Sequence, residues 1–162
     1  RPYAVRFALE DEESLWQDQL LGQQHQRVHA ETDDPVIRRK EGFYAYQLAV
    51  VADDIDQQIS HVVRGSDLLE MTAQQCQIYR ALGAGTPAWL HIPVILNDQG
   101  QKLSKQNLAP ALNDLSPAEN LLAALGALRQ DLSGLTTDTP VANILQTATD
   151  RWQPSRIHLT AR

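Results

Sequence analysis

The chain has 162 residues, 43% of them hydrophobic and 21% charged, with a formal net charge of −6. That length fits one domain or part of a larger one, and no apolar run is long enough to span a membrane as a helix. The negative balance argues against general adhesion to nucleic acid, and the single Cys76 excludes an internal disulfide and fits a reducing cytoplasm.

In chain order, Tyr3–Leu9 reads as a strand, followed by an acidic linker over Glu10–Glu13. Trp16–His29 is rich in glutamine and extended in character, and Glu31–Asp34 forms an acidic turn closed by Pro35. Phe43–Ala52 is almost continuously apolar, so a buried helix and a buried strand fit equally well, with Asp53-Asp54 ending it. Ile59–Arg64 is a shorter strand candidate that stops at Gly65. Thr72-Ala-Gln-Gln75 has the form of a capping box and Gly83 suits a C-terminal cap, which predicts a helix over Ala73–Leu82. Trp89–Leu96 then reads as a buried strand. The succession strand, helix, strand, loop is that of a crossover unit in a parallel sheet, where ligands sit beyond the carboxyl ends of strands.

The last third is helical. Ser116-Pro-Ala-Glu119 combines an N-cap, a first-turn proline and a capping glutamate, with Leu121, Leu122, Leu125 and Leu128 on one face. Thr139-Pro140 opens a second helix expected to turn Val141, Ile144, Leu145, Ala148 and Trp152 inward. Leu132–Thr139 connects the two.

The segment richest in chemistry is Lys102-Leu-Ser-Lys105, delivered by a polar turn at the end of the Trp89 strand. Two lysines three apart on a mobile loop suit a polyphosphate that gains charge during reaction, because each ammonium is a flexible point charge with three donors. Alone, the pattern also describes an ordinary solvated loop. Three further blocks accompany it in fixed order: Phe43-Tyr-Ala-Tyr-Gln-Leu-Ala-Val-Val-Ala-Asp-Asp54, His61-Val-Val-Arg-Gly-Ser-Asp-Leu68 and His91-Ile-Pro93.

Together these four blocks resemble the glutamyl-tRNA synthetase-like class I enzymes over essentially the whole chain. The resemblance implies an α/β fold: the second half of a Rossmann-type catalytic domain over residues 1–107, followed by a helical C-terminal appendix over 108–162. It implies an ATP-dependent ligase, using Mg, that makes glutamyl-adenylate and passes the acyl group to RNA. Lys102, Leu103, Ser104, Lys105 and Gln106 match the family's signature loop, with Lys102 and Lys105 in catalytic positions. Lys105, Ser104 and His91 fall at ATP-binding positions, and Tyr46 and Arg64 at glutamate-binding ones. An arginine fork suits a bidentate carboxylate contact, and a phenol can orient a polar group. Gln47 stands where many longer relatives carry Asn.

Gln106-Asn107 after the second lysine, and the short stretch beyond it, favour the short branch of the family. Its acceptor is queuosine in the anticodon loop of tRNA(Asp). A truncated glutamyl-tRNA synthetase charging tRNA(Glu), or a non-catalytic RNA- or protein-binding fragment, are the alternatives. The family's first mononucleotide-binding strands and its zinc-bearing segment have no counterpart here, so the chain reads as a piece of a longer polypeptide, with zinc expected only in the missing N-terminal part. A monomer in the cytoplasm is expected.

Outside these blocks the readings are modest. His25 and His29 are four apart without a third ligand, so no metal site is assigned. Asp53 and Asp54 could orient substrate or hold Mg near phosphates, or simply end a secondary-structure element. Arg38-Arg39-Lys40, Arg151, Arg156 and Arg162 are candidate phosphate contacts. Trp16, Trp89 and Trp152 are too dispersed for a base-stacking platform.

Overall fold

The structure is a computed structural model, and it describes residues 2–97, 99–104 and 109–158. The chain forms two compact units, Arg1–His91 and Ile92–Arg162. This division groups the Lys102–Ser104 segment with the C-terminal helices and leaves a functional boundary near residue 107 as a proposal.

In the first unit, strands β2 (Glu12–Asp18) and β3 (Gly22–Val28) form an antiparallel hairpin in register from Glu12 opposite Val28 to Asp18 opposite Gly22. The three-residue loop closes because Asp18 Oδ1 accepts from the N–H groups of Leu20 and Leu21 at 3.0 and 2.9 Å, while Gly22 takes a φ of +72°. A short loop that ends in a left-handed glycine is a standard hairpin solution. The expected acidic linker is therefore partly strand, with Glu12 and Glu13 inside β2. Strand β1 is only Val5–Arg6, much shorter than Tyr3–Leu9, and it pairs antiparallel with β4 (Val36–Arg38).

The apolar run at Phe43 resolves as helix α1 (Tyr46–Asp56), which runs through Asp53 and Asp54 instead of ending there. Its Leu48, Val51 and Ile55 recur at helical spacing on the core side. Strand β5 (His61–Gly65) leads into a 3-10 turn over Ser66–Met71 that the sequence did not signal. Helix α2 (Thr72–Ala81) follows and ends as expected, with Gly83 left-handed at φ +73°. The capping box does not form. Thr72 lies inside the helix, and no side chain caps its N-terminus.

Strand β6 (Ala88–Ile92) completes a four-stranded sheet of order β3-β2-β6-β5, with β2 and β6 parallel where Asp18 meets Trp89. It stops short of the expected Leu96 because Pro93 cannot donate to a ladder. The core of this unit gathers Val51, Ile78, Tyr79 and Trp89, with Leu9, Val28 and Ala73 beside Phe7 and Trp16.

In the second unit, Asn97 N donates to Gln101 O and Leu103 N to Ile95 O, each at 2.8 Å, and Leu96 bridges Lys102. The result is a narrow hairpin-like turn with Gly100 at φ +74°. Helices α3 (Pro117–Ala127) and α4 (Val141–Asp150) pack through Leu125, Ile144 and Ala148, with Leu121, Leu122, Leu132 and Leu135 around them. Pro117 takes the first-turn position as expected. Leu145 and Trp152 instead face outward, at 48% and 42% exposure. Among the described residues no helix is long and apolar enough to cross a membrane.

Burial separates two neighbours on α4. Ile144→Ala should destabilise the second unit by about 2–5 kcal/mol through the lost contacts and residual cavity. Leu145→Ala should cost no more than about 0.5 kcal/mol, as for ordinary surface changes. Urea unfolding of both variants checks the contrast.

Candidate active site

The polar centre of the first unit begins with Asp18, fully buried at the end of β2. Its Oδ1 holds the hairpin loop, while its Oδ2 receives the N–H of His91 at 3.1 Å and pairs with His91 Nδ1 at 2.6 Å. A carboxylate can only accept, so Nδ1 carries the imidazole proton and Nε2 is left as an acceptor. Arg64 supplies the donor, with its Nε 2.9 Å from His91 Nε2.

The rest of the guanidinium is held as firmly. Its Nη1 donates to Gln75 Oε1 at 2.6 Å, and its Nη2 to Thr72 Oγ1 at 2.8 Å and to Leu68 O at 3.2 Å. The two ends of the presumed capping box are thus acceptors for Arg64. One face of the guanidinium lies 4.8 Å from the centre of the Trp89 ring, which itself stacks on His91. Of the five N–H donors of a guanidinium, four are directed to these protein acceptors.

Burial lowers the pKa of Arg64 from its usual value, and the neighbouring Tyr46 hydroxyl opposes that shift. Tyr46 opens α1 and is half exposed, at 48%. Sequence reasoning placed Tyr46 and Arg64 in one site, and the structure brings them together. Next to Tyr46, the buried Gln47 amide nitrogen donates to Gln74 Oε1 at 2.7 Å. The Gln47 amide oxygen and the Gln75 amide nitrogen are buried with no partner among the described residues.

His91 was expected at an ATP-binding position. Its side chain is fully buried, and both ring nitrogens are engaged by Asp18 and Arg64. Burial holds its pKa below the usual histidine value, with Asp18 opposing the shift and the charge of Arg64 adding to it. It is therefore neutral near pH 7.

Of the signature loop, Lys102 and Leu103 are exposed and Ser104 is half-buried in the second unit. Lys105 and Gln106 lie outside the described residues. Asp54 accepts from the Tyr79 hydroxyl at 2.9 Å, which gives it a structural partner within α1 and α2. His25 pairs with Glu13 across the hairpin, and His29 N donates to Asp33 Oδ2. Among the described residues no group of three or more His, Cys, Asp or Glu side chains could hold a metal ion. Arg38 donates to Gly42 O, Arg151 to Ser133 O and Arg156 to Gln153 Oε1, while Arg162 lies outside the described residues.

Residues 1–129 match the family model described as tRNA synthetases class I (E and Q), catalytic domain. The chain belongs to that family. A Glutamyl-Q tRNA(Asp) synthetase of Xanthomonas axonopodis pv. citri is 47% identical over 137 residues, covering 85% of this chain and 46% of the relative. One of Escherichia coli O157:H7 is 42% identical over 150 residues, covering 93% and 49%. The chain thus spans about half the length of the curated relatives it matches. Among solved structures, a glutamate tRNA ligase from Elizabethkingia meningosepticum, crystallised with its amino acid, superposes with a TM-score of 0.68 at 22% identity. That match covers 99% of this chain and 36% of the ligase, and it establishes the class I synthetase catalytic fold, here a mixed sheet with helices.

Two titrations follow from this geometry. His91 has a folded-state pKa below its unfolded value near 6.5, so the folded state binds fewer protons. Its contribution to stability is full above pH 6.5 and is lost as pH falls through the window down to the lowered value. Unfolding free energy measured from pH 8 to pH 5 should decline with that sign. Burial pushes the Cys76 thiol up to about 11. Alkylation at pH 8 should therefore be slow in the native protein and fast in urea.

Proposed function

We propose that the full-length protein carrying this chain activates glutamate with ATP and transfers it to queuosine in the anticodon loop of tRNA(Asp). The observation that carries this reading is the similarity of 40–47% to relatives named Glutamyl-Q tRNA(Asp) synthetase, which runs through the site blocks. Its seat in this chain would be the second half of a Rossmann-type catalytic domain over residues 1–107, with residues 108–162 as a helical appendix. The reaction would take place in the cytoplasm, by a monomer.

In this reading Tyr46 and Arg64 hold the side-chain carboxylate of glutamate. Four guanidinium N–H groups are already committed to protein acceptors. The carboxylate would accordingly meet one Nη1 hydrogen and the Tyr46 hydroxyl, instead of a bidentate fork. The fixed positive charge still favours glutamate over glutamine, because a neutral amide gains less from a charged donor. Lys102, Ser104 and Lys105 would meet the phosphates of ATP, with Mg shared among them. The charge of the two lysines matters most as negative charge moves onto the departing pyrophosphate. A full-length glutamyl-tRNA synthetase charging tRNA(Glu) is the second reading, compatible with the family model, whose description spans the E and Q synthetases.

The test offers the full-length protein labelled glutamate, ATP and three RNAs: tRNA(Asp) with queuosine, tRNA(Asp) without it, and tRNA(Glu). Label on the queuosine-containing RNA alone is the expected result, and charging of tRNA(Glu) at its 3′ end overturns it. In the same protein Lys105→Ala should slow adenylate formation by the equivalent of about 2.7–4 kcal/mol. Glutamate affinity should change little. Single-turnover adenylate formation measures the rate, and the glutamate KM in pyrophosphate exchange measures the affinity.

A further inference from the structure

We propose that Asp18 and His91 are positioning residues that set the orientation of Arg64 and thereby the selection of glutamate. The proposal rests on the glutamate-binding reading of Arg64 and extends it to two residues that touch no substrate.

The geometry couples the three side chains through one tautomer of His91. Asp18 Oδ2 accepts from His91 Nδ1 at 2.6 Å, which fixes the proton on that nitrogen. Only this tautomer gives Nε2 a lone pair for Arg64 Nε, 2.9 Å away. The other tautomer would put two N–H groups against each other at that distance. A neutral acceptor at Nε also leaves the guanidinium charge uncancelled. A carboxylate in its place would neutralise the charge that the substrate has to find. Carrying the negative charge one residue back, behind an imidazole, keeps Arg64 oriented and still attractive to an anion.

Among the described residues, Arg64 and Asp18 flank the imidazole directly and Asp67 adds a further charge near it. Thr72 Oγ1 lies 3.4 Å from Nε2 and also accepts from Arg64. The acceptors around the guanidinium therefore come from β6, α2 and the 3-10 turn, which accounts for a side chain held on several sides. Asp18 itself is anchored by the hairpin loop, so the relay starts from a rigid point.

Asp18→Asn is the discriminating change. It keeps the shape but replaces one carboxylate oxygen by an NH2 group, which has to face either the two loop N–H groups or the N–H and Nδ1 of His91, so the anchoring of the imidazole is lost on one edge or the other. In the full-length protein, glutamate-dependent pyrophosphate exchange should show a KM for glutamate raised tenfold or more, with the KM for ATP within twofold. Arg64→Gln is the companion variant. If it leaves the glutamate KM unchanged, the glutamate-site reading fails and this proposal fails with it. A rise in Arg64→Gln without one in Asp18→Asn overturns the positioning role alone. Equal loss for glutamate and ATP that tracks a lower Tm assigns the pair to folding and also overturns it. Should Asp18→Asn not accumulate as folded protein, nitrogen NMR of the unaltered protein decides. An Nδ1-protonated His91 whose Nε2 signal shifts on adding glutamate supports the relay, and an Nε2-protonated ring sinks it.

Discussion

The buried carboxylate of Asp18 is the constraint on which the first unit depends. It accepts from two loop N–H groups, from the N–H of His91 and from the His91 ring. One side chain thus closes the β2–β3 hairpin, ties β2 to β6 and orients the imidazole. An ionised group without partners in such a place would be prohibitively costly. Here the hydrogen bonds are what make its burial tolerable, and they leave few alternative arrangements for the strands. Register at the β2–β6 junction, where only Asp18 and Trp89 are paired, is specified more by this polar contact than by backbone pairing.

Asp18 and Arg64 form a separated ion pair with a neutral imidazole between them. A direct buried pair would gain more Coulomb energy, but replacing buried ion pairs by apolar residues is often neutral or stabilising. Stability alone therefore gives little reason to keep these groups. What the arrangement provides is a guanidinium whose orientation is over-determined and whose charge remains available. Trp89 beneath it excludes water from one face, and its packing in the core makes that face immobile. A loss of pairing on either side of His91 would leave a buried donor or acceptor unsatisfied, which costs about 1–3 kcal/mol.

The juxtaposition of Tyr46 and Arg64 was legible in the sequence through the blocks that resemble the family, and α2 was placed by Gly83 within a residue at its end. Asp18 was not found, for a physical reason. The inward row of β2 is Glu12, Ser14, Trp16 and Asp18, three polar residues and one apolar, so the alternation that marks a strand is lost. A buried aspartate gives no periodic signal, since its partner lies 73 residues away. Thr72 and Gln75 carried a real signal that had the wrong cause. Their spacing is that of a capping box, but helical spacing also puts both on one face, and there Arg64 competes successfully for their oxygens. The outward turn of Leu145 and Trp152 was missed because an amphipathic face fixes a stripe, not its width.

The two kinds of positive charge sit on different scaffolds, and the proposed chemistry explains why. Arg64 leaves a strand and is gripped by protein acceptors, which suits discrimination of a substrate group that does not change charge. Lys102 lies on an exposed hairpin-like turn held by a few backbone bonds and the Asn97 side chain. An ammonium there can follow phosphate oxygens as bonds lengthen, at the cost of geometric precision. Swapping the two would fail both tasks: a lysine at position 64 could not engage four acceptors, and a locked guanidinium could not track a departing group. In the proposed reading, selection is built into the core, where hydrogen bonds are numerous, while charge stabilisation is left to a loop.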